Sequence, residues 1–417
     1  MLFRIALLGI AVMLMPPTLS AQITLEEYRL SVEAYSHQLR DAEFAVHGAH
    51  AEMLRGRKEH LPSLSLDGEA SLDFRSPAEG RPWSWLQRVE LSQPIYRGGA
   101  VRAEAMQAEL RYAVAEYGAD AAMLYVGYLA DVAYWALSRA ESYYDAIRDY
   151  KAIVESLRDV VAERYAAGYI SKGDLLQVES RLSDAEYQLS EAQQRRDAAL
   201  HNFNVLAGRG VEDGVVLHNS IFDARPMLKR ESVDAILSRH PDYAISEAEV
   251  EISRWAMRSS MANYLPHIEA GLYGVLQPAM PHLRGGDLAL DGGVYVSLHT
   301  PIFHFGQRKQ ALSVARSNHM RKVLAVEDVR DDITLRESDG WSLLQSTYDR
   351  VSTTERSLTL ARENLNMNTY SYREGMATIL DVLQAQLSWL QIYQNNIAAR
   401  YDYAVACAAY RYVVGAE

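Results

Sequence analysis

The sequence predicts a mainly helical protein with a small β part, built as two similar halves. Three observations carry this reading. Two long tracts lack proline and show near-heptad spacing, two pairs of alternating segments lie among clustered prolines, and landmark residues recur at offsets of 204 and 207.

After position 21 the prolines stand at 62, 77, 82 and 94, at 226 and 241, and at 266, 278, 281 and 301. A proline inside a helix costs about 3 kcal/mol. The proline-free tracts, rich in Ala, Glu, Leu, Arg and Gln, are therefore where long helices can form. Within them Ile147, Tyr150, Val154, Leu157 and Val161 are spaced 3-4-3-4. The same spacing runs through Leu175, Val178, Leu182, Ala185 and Leu189, and through Leu380, Leu383, Leu387 and Leu390. Such spacing draws a narrow apolar seam for helix-on-helix packing. The stretch from Ala100 to Ala167 predicts one helix of ~100 Å at 1.5 Å per residue, which Gly118 and Gly127 weaken without breaking.

The proline-bounded segments have period two. In Ser63–Phe74 the residues Leu64, Leu66, Gly68, Ala70, Leu72 and Phe74 alternate with polar ones. Trp83–Gln93 alternates less cleanly, with Trp83, Trp85, Val89 and Leu91 on one side. His267–Leu276 gathers Ile268, Ala270, Leu272, Gly274 and Leu276 on one face, and Asp287–Leu298 gathers Leu288, Leu290, Gly292, Val294, Val296 and Leu298. These are four strands grouped as two hairpins. Their length suits tilted membrane strands, with Phe74, Trp83, Trp85, Tyr273 and Tyr295 as interfacial aromatics. It suits equally a small soluble sheet with those aromatics in its core. Four strands cannot close a barrel, so the membrane reading requires several protomers.

The halves echo each other. Leu61-Pro62 recurs as Leu265-Pro266, offset by 204, and Pro94-Ile95-Tyr96-Arg97-Gly98-Gly99 recurs as Pro301-Ile302-Phe303-His304-Phe305-Gly306, offset by 207. Gly168, Asp174, Leu176 and Gln177 recur as Gly375, Asp381, Leu383 and Gln384. The expected organisation is a segment 1–21, a first repeat over 22–207, a linker over 208–230 and a second repeat over 231–417. Each repeat reads helix, hairpin, very long helix, tight turn, helix.

Residues 1–21 have the layout of a secretory signal peptide. Arg4 supplies a positive start, Ile5 to Met15 an apolar run, Pro16-Pro17 a break and Leu19-Ser20-Ala21 a cleavage point. No Cys lies near that point, so lipid attachment at a new terminal Cys is unavailable. The net charge of −12 becomes more negative without Arg4 and argues against nucleic acid as a partner. The single cysteine, Cys407, rules out an intrachain disulfide and lies in an Ala-rich seam with Ala404, Val405 and Ala408, where it reads as a small core residue. After residue 15 no apolar run approaches the ~18–20 residues of a spanning helix, so any crossing must be a closed β-barrel. His47 and His50 form an H-x-x-H without a third ligand, and are read as solvated helix-face residues. The Gly pairs lack a phosphate-loop pattern, and the 13 methionines are scattered. No cofactor, metal site or catalytic constellation is expected.

These residues resemble the TolC family of outer-membrane efflux proteins. The resemblance rests on Ile23-Thr24-Leu25-Glu26-Glu27, the Leu-Pro pair before each hairpin and Gln93-Pro94-Ile95-Tyr96-Arg97-Gly98-Gly99 leaving the first. It continues in Arg164-Tyr165-Ala166-Ala167-Gly168 with Asp174-Leu175-Leu176, in Leu206-Ala207-Gly208, and in Tyr372-Arg373-Glu374-Gly375 with Leu380-Asp381-Val382-Leu383. In order, duplicated and spanning the chain after residue 21, these motifs are specific together although each is weak alone. The resemblance implies a homotrimer in the outer membrane of a Gram-negative bacterium. Four strands per protomer would make a twelve-strand barrel, continuous with a long-helix α-barrel in the periplasm. The 208–230 linker would be its equatorial region. It implies a periplasmic adaptor, an inner-membrane pump and outer-membrane lipid as partners, in tripartite efflux or type I secretion.

The resemblance also implies site residues. Asp174 and Tyr372 match a hydrogen-bonded closing pair at a gate, and Asp381 a lumen-facing ring of three carboxylates. Gln384 stands where a second acidic ring is expected, and Ala377 where a basic closing residue is. The gate should accordingly carry less charge. The turns Gly168, Tyr169, Ile170, Ser171 and Gly375, Met376, Ala377, Thr378 would be the tips that dock the adaptor. A simpler role for Asp174 and Asp381 is as helix N-terminal acids, worth ~0.3–1 kcal/mol. Two other function classes are a periplasmic coiled-coil adaptor or structural protein and a passive porin. The first usually carries a compact lipoyl-like or barrel domain that nothing here matches, and the second needs many strands and little helix.

Overall fold

The computed structural model describes residues 22–72, 83–278 and 288–416. The expected signal peptide and Phe74 lie outside these residues. In chain order the elements are β1 (Gln22–Ile23), α1 (Leu25–Tyr35), α2 (His37–Lys58), β2 (Ser63–Leu72), β3 (Trp83–Arg97), α3 (Ala100–Ala166) and α4 (Lys172–Leu206). They continue as β4 (Val216–Leu217), α5 (Val233–Leu237), α6 (Pro241–Ala262), β5 (His267–Pro278), β6 (Leu288–His299), α7 (Gln307–Arg373) and α8 (Ile379–Val413). No helix among the described residues is long and apolar enough to cross a membrane.

Both proline-free tracts fold as expected. Helices α3 and α7 have 67 residues each, α4 and α8 have 35 each, and each pair starts 207 residues apart. Helix α3 runs unbroken through Gly118 and Gly127. Helices α2 and α6 have 22 residues each, 204 apart. Left-handed backbone recurs at an interval of 207: Gly98 and Gly99 answer to Phe305 and Gly306, Gly168 to Gly375, and Gly208 to Gly415. At Gly98 a Cβ would lie 2.6 Å from the Ala262 carbonyl oxygen, so glycine is required there.

The chain divides into two compact units, each drawing on both sequence halves. One comprises residues up to Ser36, Val126–Lys229 and Gly340–Tyr412, and the other His37–Tyr125, Arg230–Asp339 and the residues from Val413.

The second unit holds the sheet. Its order is β2-β3-β5-β6 with every neighbour antiparallel, so the two hairpins join through β3 and β5. The register aligns Leu64, Leu91, Leu272 and Val294 in one row and Ala70 with Trp85 in another. Because side chains alternate between faces, all four strands turn their apolar residues to the same side. That face is bare in the single chain: Leu66 is 70% exposed, Leu290 79% and Val294 77%. The opposite face is polar. Tyr273 and Tyr295, expected among the interfacial aromatics, belong to this polar face. The Tyr295 hydroxyl shares its one proton between Glu90, at 2.5 Å, and Glu269, at 2.9 Å, and the Arg88 guanidinium lies 5.2 Å from the Tyr273 ring centroid. Odd and even positions point oppositely in a strand, and both tyrosines are odd where the apolar set is even.

Strand β3 extends beyond the expected Gln93 to Arg97, through Pro94. The pairing with β5 shifts between Pro94 and Tyr96, a bulge. A proline, lacking an N–H to donate, is tolerated at such a place. The second unit also contains a bidentate pair in which Arg230 donates to Glu337 at 3.0 and 2.9 Å, with Glu337 buried.

In the first unit, α3, α4, α7 and α8 share one apolar cluster. Its seam residues Ile147, Tyr150, Val154, Leu157 and Val161 are all buried, as are Val178, Leu383 and Leu390. Leu380 departs from the expected seam and is exposed. Its neighbour Ile379 faces the cluster, and the ~100° turn per residue carries Leu380 away from it. Helix α1 begins with a capping box of Thr24 and Glu27. It packs Tyr28 on Phe203, ring centroids 3.8 Å apart, and pairs Arg29 with buried Asp131 through two 2.6 Å bonds. The linker after Gly208 lies on this unit. It pairs β1 with β4, inserts Ile221 and receives a bond from the Tyr403 hydroxyl at the Pro226 carbonyl. Cys407 is buried among Ala404, Ala406 and Ala408, and burial pushes its thiol pKa up.

Candidate gate and helix tips

Both helix hairpins of the first unit turn by the same chemistry. After α3, Gly168 takes φ +79 and its N–H donates to the Tyr165 carbonyl, while Tyr169 donates to Arg164 at 2.9 Å. After α7, Gly375 takes φ +75, its N–H donates to Tyr372, and Met376 donates to Ser371 at 2.8 Å. This pair of bonds is the Schellman ending, which satisfies carbonyls left open at a helix C-terminus. Three residues on, Ser171 and Thr378 start α4 and α8. The Asp174 carboxylate accepts from Ser171 N at 3.1 Å and Oγ at 2.9 Å. The Asp381 carboxylate accepts from Thr378 N at 2.8 Å and Oγ1 at 2.7 Å. Each hydroxyl in return accepts the N–H of its aspartate at 3.3 Å, closing the capping box.

The tips are tied by a residue that the sequence did not mark as part of the site. Arg164, in the last turn of α3, donates to the Tyr372 carbonyl at 3.1 Å and to the Arg373 carbonyl at 2.6 Å. Its guanidinium also lies 4.8 Å from the centroid of the Tyr372 ring. A cation thus meets the carbonyl end of α7, where the helix dipole is negative. Its sequence signals were a basic residue in a final helical turn and a place at the head of the Arg164–Gly168 motif. Its acceptors lie 208 and 209 residues away, beyond any local pattern.

The expected hydrogen bond between Asp174 and Tyr372 is not made in this chain. Asp174 is engaged by Ser171, and the Tyr372 hydroxyl is buried without a well-aligned partner. The capping box prevails because its partners lie three residues away and cost little further ordering entropy. The two groups are still close enough to interact. Burial pushes the Tyr372 hydroxyl pKa up, the Arg164 charge draws it down, and the Asp174 charge adds to the upward push.

The remaining site residues divide by exposure. Tyr169 is 82% exposed and Met376 70%. Gly168, Ser171, Gly375 and Thr378 are exposed too, whereas Ile170 and Ala377 pack against the helix cluster. Asp381 and Gln384 are both exposed and, three residues apart on α8, share a face. The two bonds from Thr378 hold the Asp381 carboxyl pKa below the usual carboxylate range. His50 lies against Tyr112, and among the described residues no group of three His, Cys, Asp or Glu side chains is placed to hold a metal.

A two-copy pattern is what the comparison with family models returns. The model described as "Outer membrane efflux protein" matches residues 31–209 and again 233–416. The chain belongs to the outer membrane efflux protein family. Among sequence relatives, the alkaline protease secretion protein AprF of Pseudomonas aeruginosa is 22% identical over 60% of this chain and 53% of its own length. The chain therefore spans about half of that relative. CyaE of Bordetella pertussis is 22% identical over 87% of this chain and 78% of its own. Among solved structures, the outer membrane protein VceC of Vibrio cholerae superposes with a TM-score of 0.78 at 19% identity, covering 94% of this chain and 96% of VceC. That likeness establishes the fold.

Proposed function

We propose that three copies of this chain close their sheets into one twelve-strand barrel in the outer membrane of a Gram-negative bacterium. The long helices then wall the periplasmic part of a passive conduit for tripartite efflux or type I secretion. The observation that carries this is the four-strand sheet, apolar on one exposed face and polar on the other, with β2 and β6 as its edge strands. An unpaired edge cannot be left in hydrocarbon, so β6 of one copy must pair with β2 of the next until the ring closes. Twelve strands lie between filled eight-strand barrels and open porins, which leaves a water-filled lumen lined by the polar face. An adaptor protein has no use for an apolar sheet face of this extent.

The gate belongs to the same proposal. Asp381 from three copies forms a lumen-facing ring that favours cations, and Gln384 makes the next ring uncharged. Asp174 and Tyr372 border the contact that Arg164 closes between the two tips. Tyr169 and Met376, the exposed tip side chains, meet a periplasmic adaptor that links the conduit to an inner-membrane pump. No covalent step is involved. The decisive experiment is reconstitution of the purified protein into planar bilayers. Discrete single-channel steps are expected, and their absence from a membrane-inserted trimer overturns the channel reading.

A further inference from the structure

In the second unit the last turn of α2 and the bulged end of β3 border an open cavity of about 400 Å³. Arg57, His60, Arg97 and Arg102 line it together with Ile95 and Tyr96, and no carboxylate does. Three arginines and a histidine around one cavity stand out in a chain of net charge −12. Two of the arginines pair loosely with acids that lie outside the lining. Glu109 reaches Arg57 only at 3.3 Å and Glu59 reaches Arg97 only at 3.6 Å. Both distances exceed the ~2.7–2.9 Å of a charge-assisted hydrogen bond, so each guanidinium keeps donors for another acceptor.

The register says where this cavity lies. Tyr96 pairs with Ile268, and Ile268 with Leu298, which is the last row of the exposed apolar face. The next row, Arg97 with His267 and His299, alternates to the polar face. The cavity therefore sits at the margin where the apolar face ends and the helices begin.

The equivalent junction of the other half is built differently. At offsets of 204 and 207, Met261, Tyr264, His304 and Lys309 replace Arg57, His60, Arg97 and Arg102. There Tyr264 meets His304 at 5.6 Å and Phe303 meets Phe305 at 4.6 Å between ring centroids. Helix α2 ends with Arg55, Arg57 and Lys58, whereas α6 has no basic residue in its last turn. The second junction thus gathers more aromatic rings beside its own cations, Arg308 and Lys309, and rings and cations are the two chemistries that anchor a protein at a membrane interface.

We propose that the basic cavity binds the phosphate of a phospholipid headgroup in the periplasmic leaflet, one lipid per chain. Guanidinium forks suit phosphate oxygens, while Ile95 and Tyr96 lie where the acyl chains begin. The inference rests on the membrane reading of the sheet.

Native mass spectrometry of the purified protein titrated with phosphatidylglycerol tests it, with vesicle flotation of the same samples reporting insertion. The wild type should retain one phosphatidylglycerol per chain. R57Q/R97Q/R102Q should insert normally but retain it on the order of 100-fold more weakly, the loss expected from three interfacial cations. R57K/R97K/R102K should recover part of the binding, K309Q should match the wild type, and millimolar inorganic phosphate should not compete. Equal retention by the glutamine variant overturns the site. Full competition by inorganic phosphate overturns the lipid as its source. A wild type that inserts without retaining lipid overturns this inference alone, whereas failure to insert overturns the membrane reading as well.

Discussion

At the scale of single residues, Arg164 is the group whose removal should be felt most at the tips. Hydrogen bonds from a charged donor contribute about 1.5–3 kcal/mol when well shielded. Arg164 is only partly buried, so ~1–2 kcal/mol for both of its carbonyl contacts is reasonable after screening. Arg164→Ala should loosen the tip and raise single-channel conductance in planar bilayers. Arg164→Lys should recover little, because a point charge cannot serve two carbonyls and a ring face as a planar fork does. By contrast Tyr372→Phe should leave conductance and melting unchanged, since the hydroxyl it removes has no well-aligned partner. A large rise in that variant would mean that the hydroxyl meets a neighbouring copy. In the proposed gate, Asp381 is the residue expected to set selectivity. Its folded pKa is depressed by the two bonds from Thr378, which favour the charged carboxylate. The stability it contributes is likewise present above the unfolded pKa and lost as pH falls through the lower, folded one. Reversal potentials in a salt gradient should show an unchanged cation preference between pH 7 and pH 5, and a reduced one in Asp381→Asn at both.

At the scale of elements, the turns and the strands make separate demands. Gly168 and Gly375 hold left-handed backbone at φ +79 and +75 with nothing within 4 Å of an added Cβ. Alanine there meets no obstacle except its own backbone, at a cost of about 1 kcal/mol. Each substitution should lower the thermal midpoint modestly, and the double variant should lower it by about the sum. The tip side chains should separate by burial. Tyr169→Ala and Met376→Ala should reduce efflux of a fluorescent substrate without moving the melting point. Charged substitutions at Ile170 or Ala377 should do both, because those side chains pack against the helix cluster. In the strands, Leu66→Asp and Val294→Asp each place a charge on the apolar face. Such a charge costs up to ~2–4 kcal/mol depending on depth, and heat-modifiable mobility should report failed insertion.

At the scale of the whole molecule, closure is the requirement from which the others follow. Mass photometry of the detergent-solubilised protein should give a trimer, and a stable folded monomer would remove the barrel reading. The paired halves bear on this. Four strands per chain come from two hairpins in one sheet, so three chains would present six hairpins around the proposed ring. Because equivalent helices share lengths and turn chemistry, those hairpins can be offered at nearly equal spacing.

Much of this was legible in the sequence because its causes are local. Proline placement left only two tracts able to hold 67-residue helices, and both tracts did. Period-two alternation assigned the apolar face of every strand, since alternation is a property of the extended backbone itself. Gly168 and Gly375 declared their turns because left-handed backbone favours glycine. Pairings across the chain were decided only in the folded molecule. That β3 joins β5, that Arg164 reaches the end of α7, and that Asp174 keeps to Ser171 while the Tyr372 hydroxyl goes without a well-aligned partner are choices among competing contacts. So is the division into two units that cut across the sequence halves. A local pattern records what each segment offers, whereas a contact between residues some 200 positions apart depends on how every intervening element packs.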